Sequence, residues 1–190
     1  MVATGQDRGC DAEYCLRRFL PEHAGTVATW VDSIQTRRWV SPSVVGSVTA
    51  EIVRGWVKPG GEALVLFNGV PSAPVAYGEL NPMRVERRHH WLGHLIVQPG
   101  LRGRGIGLRL TLELLEHAFI ERSALRVSLI VFPDNRAAIR CYVTAGFQLR
   151  GEEFHRFAPG TRAGRLLRFQ IDHARYTSLS RAGERCATIG

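Results

Sequence analysis

Apolar residues along the chain follow two rhythms, and the change from one to the other marks its elements. "YCLRRFL" (14–20) is expected as a first strand, ended by Pro21. In "PEHAGTVATWVDSI" Ala24, Val27, Ala28 and Val31 recur at helical spacing, and Pro21 suits a first turn. "SPSVVGSVTAEIVRGWV" is expected as a second helix, with Ser41 as N-cap and Pro42 at its first position. After "KPGG" the period shortens: "EALVLFNGVPSAPVAYGEL" predicts two strands around Asn68-Gly69, a hairpin signal, and "NPMRVERR" a polar connection or bent strand end. "HHWLGHLIV" is apolar on both parities through Leu95, Ile96 and Val97, which suits a strand buried on both faces.

From Leu108 the helical period returns through Thr111, Leu112, Leu115, Ala118 and Phe119. "ALRVSLIVF" is the next strand, and "PDNRAAIRCYVTAG" a short helix with Asp134 or Asn135 at its cap and Gly146 as its stop. "FQLRGEEF" and "RLLRFQID" are the last two strands. Residues 1–12 are expected to be loose, as is the aperiodic tail 173–190, which leaves 13–172 as one domain. The order β-α-α-β-β-β-α-β-α-β-β, without internal repeat, points to a single α/β domain with mixed α+β character.

Composition narrows the setting. With 45% hydrophobic and 22% charged residues the chain reads as a soluble globular protein. No apolar run approaches the ~20 residues that span a bilayer, and the start lacks the apolar core of a signal peptide, so a cytoplasmic protein without a membrane partner is expected. Cys10, Cys15, Cys141 and Cys186 form no CxxC pair and no Cys/His cluster, so reduced thiols and no metal are expected. The net charge of +8 raises the question of an anionic partner. The arginines are scattered from Arg8 to Arg185, and Trp30, Trp39, Trp56 and Trp91 do not interleave with them, so a nucleic-acid surface is the weaker reading.

The stretch "VQPGLRGRGIGLRL" (97–110) places Gly103, Gly105 and Gly107 between a buried strand and an amphipathic helix. Unpaired N–H groups at a helix start, with the helix dipole behind them, favour an anion. Glycines there remove Cβ atoms that would keep a diphosphate off the backbone. The P-loop pattern GxxxxGK[ST] is absent, and GxGxxG fails because Leu108 and Leu110 stand where its last glycine belongs.

The pattern V-x-P-x-x-R-G-x-G-x-G, here Val97, Pro99, Arg102, Gly103, Gly105 and Gly107, resembles the acetyl-CoA signature of the GCN5-related N-acetyltransferase (GNAT) family. "NRAAIRCYVTAGF" resembles that family's next block, with Asn135 and Tyr142 two helical turns apart and Gly146-Phe147 at the end. The resemblance is detailed over about residues 62–155. It implies an acyl-CoA N-acyltransferase fold, a mainly antiparallel sheet with helices on both faces, and direct acetyl transfer from acetyl-CoA to an amine, without a metal.

Carried over by position, Leu95 and Val97 would meet pantetheine through their main chain. Arg102, Gly103, Arg104, Gly105, Ile106, Gly107 and Leu108 would cradle the pyrophosphate, and Tyr142 would be the general acid. Asn135 would contact the cofactor or simply cap its helix. For the general base, positions sharing Val97's side of the pleat are Leu95, Gly93 and Trp91, none of them basic. Glu79 on the neighbouring strand is the preferred candidate. His94 has the opposite parity and faces away unless a bulge intervenes, and a water relay stays open. The acceptor is not legible: Glu152 and Glu153 would suit a cationic amine, such as a polyamine, an aminoglycoside or a protein N-terminus, or are merely solvated. A catalytically silent CoA-binding member is the alternative reading, and the last strands leave a homodimer open.

Overall fold

Strand β2 (Glu62–Asn68) shows how the sheet is built: Ala63, Val65 and Phe67 enter one hydrophobic cluster while Leu64 and Leu66, on the other parity, enter a second. A sheet covered on both faces follows from that alternation. The computed structural model describes residues 14–69, 73–86, 88–157 and 163–187. The other strands are β1 (Tyr14–Arg18), β3 (Pro74–Pro82), β4 (His89–Val97), β5 (Arg126–Val131), β6 (Gln148–His155) and β7 (Gly164–Asp172). They form one sheet in the order β1-β2-β3-β4-β5-β7-β6, antiparallel at every junction except β4–β5.

One face is covered by α1 (His23–Thr29), α2 (Ile34–Val40) and α3 (Ala50–Arg54), whose cluster holds Val27, Trp30, Val53 and Trp56. The other carries α4 (Ile106–Glu116), which runs into a π-helical turn (His117–Glu121), and α5 (Arg136–Thr144), and its cluster holds Leu110, Leu114 and Phe169. No helix among the described residues is long and apolar enough to cross a membrane.

Three expectations are corrected. The helix expected from Ser41 does not start there: α2 precedes it, with Ser33 accepting the Thr36 N–H at 3.0 Å, and Ser41 ends α2. The residue before a proline resists helical φ/ψ, and Gly46 then turns the chain at φ +88°, so the second helix shrinks to α3 under a Thr49 cap. The tail expected to be loose forms α6 (His173–Ala187). Its order comes from tertiary contacts: Tyr176 stacks on Phe119 at 4.7 Å, and Arg175 Nε donates to the Gly146 carbonyl at 2.6 Å. Lastly, Cys15 is disulfide-bonded, because a bridge depends on proximity in space rather than on CxxC spacing, whereas Cys141 is a free thiol. The expectation for residues 1–12 lies outside the described residues.

Candidate active site

β4 and β5 pair only from His89↔Arg126 to Trp91↔Ser128 and then part. At the closed end His89 Nε2 and the fully buried Ser128 Oγ lie 2.7 Å apart. Where the strands part, the sheet itself opens, and a cavity of about 760 Å³ reaches Trp91–Leu95 of β4, Leu129–Val131 of β5 with Phe132 just after it, and Tyr142 of α5. It also reaches the segment after α2, and α3.

The glycine loop stands at the start of α4. Gly103 and Gly105 take φ +77° and +83°, a region that side chains with a Cβ strongly disfavour, so the turn requires glycine at both. Gly105 is the N-cap of α4, and the first bond outward is Arg109 N–H to the Gly105 carbonyl at 3.0 Å. The N–H groups of Ile106, Gly107 and Leu108 therefore have no acceptor within the helix. No side chain caps them. A diphosphate laid across this end would meet those donors, and the residues present fit it. Gly107 faces Val97, whose Cγ2 would lie 3.6 Å from an added Cβ.

Arg102 is otherwise engaged. Its guanidinium contacts both Asp32 oxygens at 3.0 and 3.1 Å and the Trp30 carbonyl at 2.6 Å, while its Nε donates to the Val97 carbonyl at 3.2 Å. It ties the glycine loop to the segment after α1. Burial opposes ionisation of Asp32, but Arg102 and Thr36 outweigh it and hold its carboxyl below the ordinary range. Arg104 is exposed on the loop. Asn135 accepts the Ala138 N–H at 3.2 Å as cap of α5, and it also lines the cavity.

Tyr142 projects from α5 into the cavity and is 8% exposed. Burial, with a smaller push from Cys141, raises its phenol above the usual value, so it holds its proton at neutral pH.

A bulge sets how β4 presents His94. Tyr77 pairs with Ile96 but Glu79 with Gly93, so two β4 residues, His94 and Leu95, stand opposite Gly78 alone. His94 takes φ +46°. Leu92, Leu95 and Val97 consequently pack toward α4, while Ile96 joins the α1–α3 side. His94 lies on that second side, stacked on Trp56 with ring centroids 4.5 Å apart and planes 1° from parallel. Parity alone would exclude it, but the cleft passes through the parted sheet, and His94 lines it.

Glu79 does not line the cavity. It is 1% exposed, accepts from Tyr77 Oη at 2.7 Å and Asn81 Nδ2 at 3.1 Å, and has Oε1 2.9 Å from His94 Nδ1. Burial alone would raise its pKa, yet His94, Tyr77 and Asn81 together hold it below the ordinary carboxylate range. Gly93 makes room for it, since a Cβ there would lie 3.1 Å from Glu79 Oε2. Sequence reasoning missed Trp56, Tyr77, Asn81 and Gly93. A signal was present: Tyr77, Glu79 and Asn81 are three polar-bearing side chains at alternate positions of a buried strand, hence on one face.

Glu152 and Glu153 are paired with Arg165 and Arg168 across the β6–β7 ladder, and Glu153 also bonds His155 at 2.7 Å. Their charges are met within the sheet, which removes them as a signal for a cationic acceptor.

Comparison with known proteins places this geometry. Residues 31–147 match the acetyltransferase (GNAT) family. No curated protein sequence matches the chain. Among solved structures, the spermidine N-acetyltransferase from Vibrio cholerae in complex with CoA and spermine superposes with a TM-score of 0.71 at 15% identity, covering 87% of this chain and 98% of that one. A GNAT-family acetyltransferase from Bacillus anthracis gives 0.70 at 16%, covering 85% and 95%. The ribosomal-protein-S5-alanine acetyltransferase from Vibrio fischeri gives 0.67 at 13%, covering 87% and 96%. The fold is theirs, and the family match extends over the glycine loop, the parted strands and Tyr142: this chain belongs to the acetyltransferase (GNAT) family.

Proposed function

We propose that the protein transfers an acetyl group from acetyl-CoA directly to a primary amine, with His94 as general base, Glu79 as its positioning partner and Tyr142 as general acid. The observation that carries this reading is that His94 and Tyr142 line one cavity while Glu79 sits behind His94. The carboxylate at Nδ1 favours the tautomer with its proton there, which leaves Nε2 as the acceptor. Nε2 then takes a proton from the arriving ammonium, which cannot attack before it is lost. Glu79 balances the imidazolium charge without leaving its pocket. On the other side Tyr142 donates its proton to the departing thiolate.

The Gly103–Leu108 backbone and the first turn of α4 would hold the pyrophosphate, with Arg104 adding charge at the exposed rim. Leu95 and Val97 border the wedge where the pantetheine arm would run. Acetyl-CoA supplies the activated acyl group, and enclosure of both substrates supplies the proximity term.

The test is calorimetric titration with acetyl-CoA followed by thiol release against amines. One site per chain and amine-dependent thiol release are expected. Gly105→Val is expected to weaken acetyl-CoA binding by about tenfold or more, since a β-branched residue is strained at φ +83°. Tyr142→Phe is expected to keep that binding and lower kcat by roughly 10²-fold. Normal turnover by Tyr142→Phe would remove the phenol from the mechanism, and binding without thiol release from any amine would favour a CoA-binding regulatory protein.

A further inference from the structure

Among the described residues the cavity wall contains no Asp or Glu. Three carboxylates behind the wall are already matched: Glu79 by His94, Asp134 by Arg38 and Trp39, Glu153 by Arg168 and His155. The wall does contain Lys58, the sole lysine of the chain, which is exposed and makes no ion pair among the described residues.

The rest of the wall is rich in aromatic rings, and bare rings would attract a cation. Three of these rings already carry a partner on one face. Trp56 carries the His94 ring at 4.5 Å, Phe132 carries the Arg38 guanidinium at 4.6 Å, and Trp91 carries that of Arg168 at 5.6 Å. A second or third ammonium on the acceptor would therefore meet no carboxylate on the cavity wall and would face the Lys58 ammonium, which makes its desolvation unfavourable. A planar or large apolar body would instead suit the rings of Trp39, Phe132 and Phe157 on the wall.

The backbone of Lys58 is tied to the network behind His94. Its backbone N–H donates to Asn81 Oδ1 at 3.3 Å, Asn81 Nδ2 donates to Glu79, and Glu79 meets His94. Trp56, two residues before Lys58, packs on the same imidazole.

We infer that the acceptor is a monoamine with an aromatic or large apolar body and a carboxylate, an aromatic α-amino acid in type, with its amine at His94 and its carboxylate at Lys58. The inference rests on the transfer proposed above and is tested separately from it. Calorimetry with acetyl-CoA comes first, and absence of binding would overturn both.

With binding established, thiol release is measured for L-tryptophan, L-phenylalanine, tryptamine, spermidine and an alanine-initiated peptide. The two amino acids are expected to exceed the other acceptors by about tenfold in kcat/KM. In Lys58→Met the ratio of kcat/KM for tryptophan to that for tryptamine is expected to fall roughly fivefold, the size suited to an exposed ion pair. Preference for spermidine or the peptide, equal use of tryptamine and tryptophan, or a ratio unmoved by Lys58→Met would overturn the acceptor assignment and leave the transferase standing. Thiol release with none of the five acceptors would overturn it as well.

Discussion

Two histidine–carboxylate pairs lie on opposite faces of this sheet, and they differ in what is left over. His117, in the π-helical turn after α4, has Nδ1 2.7 Å from Glu121 and Nε2 3.2 Å from Glu62, and Arg122 also binds Glu62. Both ring nitrogens are spent, and His117 is 8% exposed. His94 meets one carboxylate, at Nδ1, while its ring borders the cavity with a side chain 24% exposed. A histidine locked on both sides is a fastener between elements. One held at a single nitrogen, with the other toward a cleft, can exchange a proton. The buried His89, bracketed by Glu86 and Ser128, is of the first kind.

The sharpest break of this contrast is in turnover. His94→Gln is expected to lower kcat by about 10²–10⁴-fold, whereas His117→Gln, which does not line the cavity, stays within about twofold while losing stability. Comparable kcat losses in thiol-release assays of the two variants would dissolve the distinction.

A smaller effect follows from Gly93. In Gly93→Ala the new Cβ presses on Glu79 Oε2, and the shift passes to His94. The expected loss is roughly tenfold in kcat, with the acetyl-CoA dissociation constant unmoved. A change confined to that dissociation constant would show that Glu79 positions the cofactor rather than the base.

The smallest effect is a pH dependence of folding at the other pair. Burial opposes ionisation of Glu62, but His117 and Arg122 bring its carboxyl down to about 2, from 4.5. A depressed folded pKa gives stability that is full above the unfolded value and is lost as pH falls through the folded one. Glu62→Gln is therefore expected to be less stable than the parent by on the order of 2 kcal/mol at pH 7. The gap should narrow between about pH 5 and pH 2 in denaturant titrations. A gap independent of pH would mean that the Glu62 charge does not contribute.

Much of this was legible in the chain itself. "HHWLGHLIV" is β4 from end to end, because a strand buried on both faces needs an apolar run on both parities. The glycine loop before α4 was legible as a loop, though the left-handed φ of Gly103 and Gly105 is seen only in the structure, and Asn135 caps α5. The preference for Glu79 over His94 as the group facing the cleft did not survive, since Glu79 is walled off behind the imidazole. The helix at 41–57 and the tail failed for opposite reasons. Pro42 and Gly46 broke a good periodicity locally, while α6 has weak periodicity and is ordered by Phe119 and Gly146, distant in sequence.

The sequence by itself determined what is local and repeated: strand and helix periods, the glycine turn, and the cap and spacing of α5. The tertiary structure decided what depends on a single inserted residue or on neighbours far along the chain. The bulge at His94 changes side-chain parity by one position, which no period within the strand announces, because it exists only in the pairing with β3. Parting of β4 from β5 then lets a side chain on the far face, His94, reach the cleft.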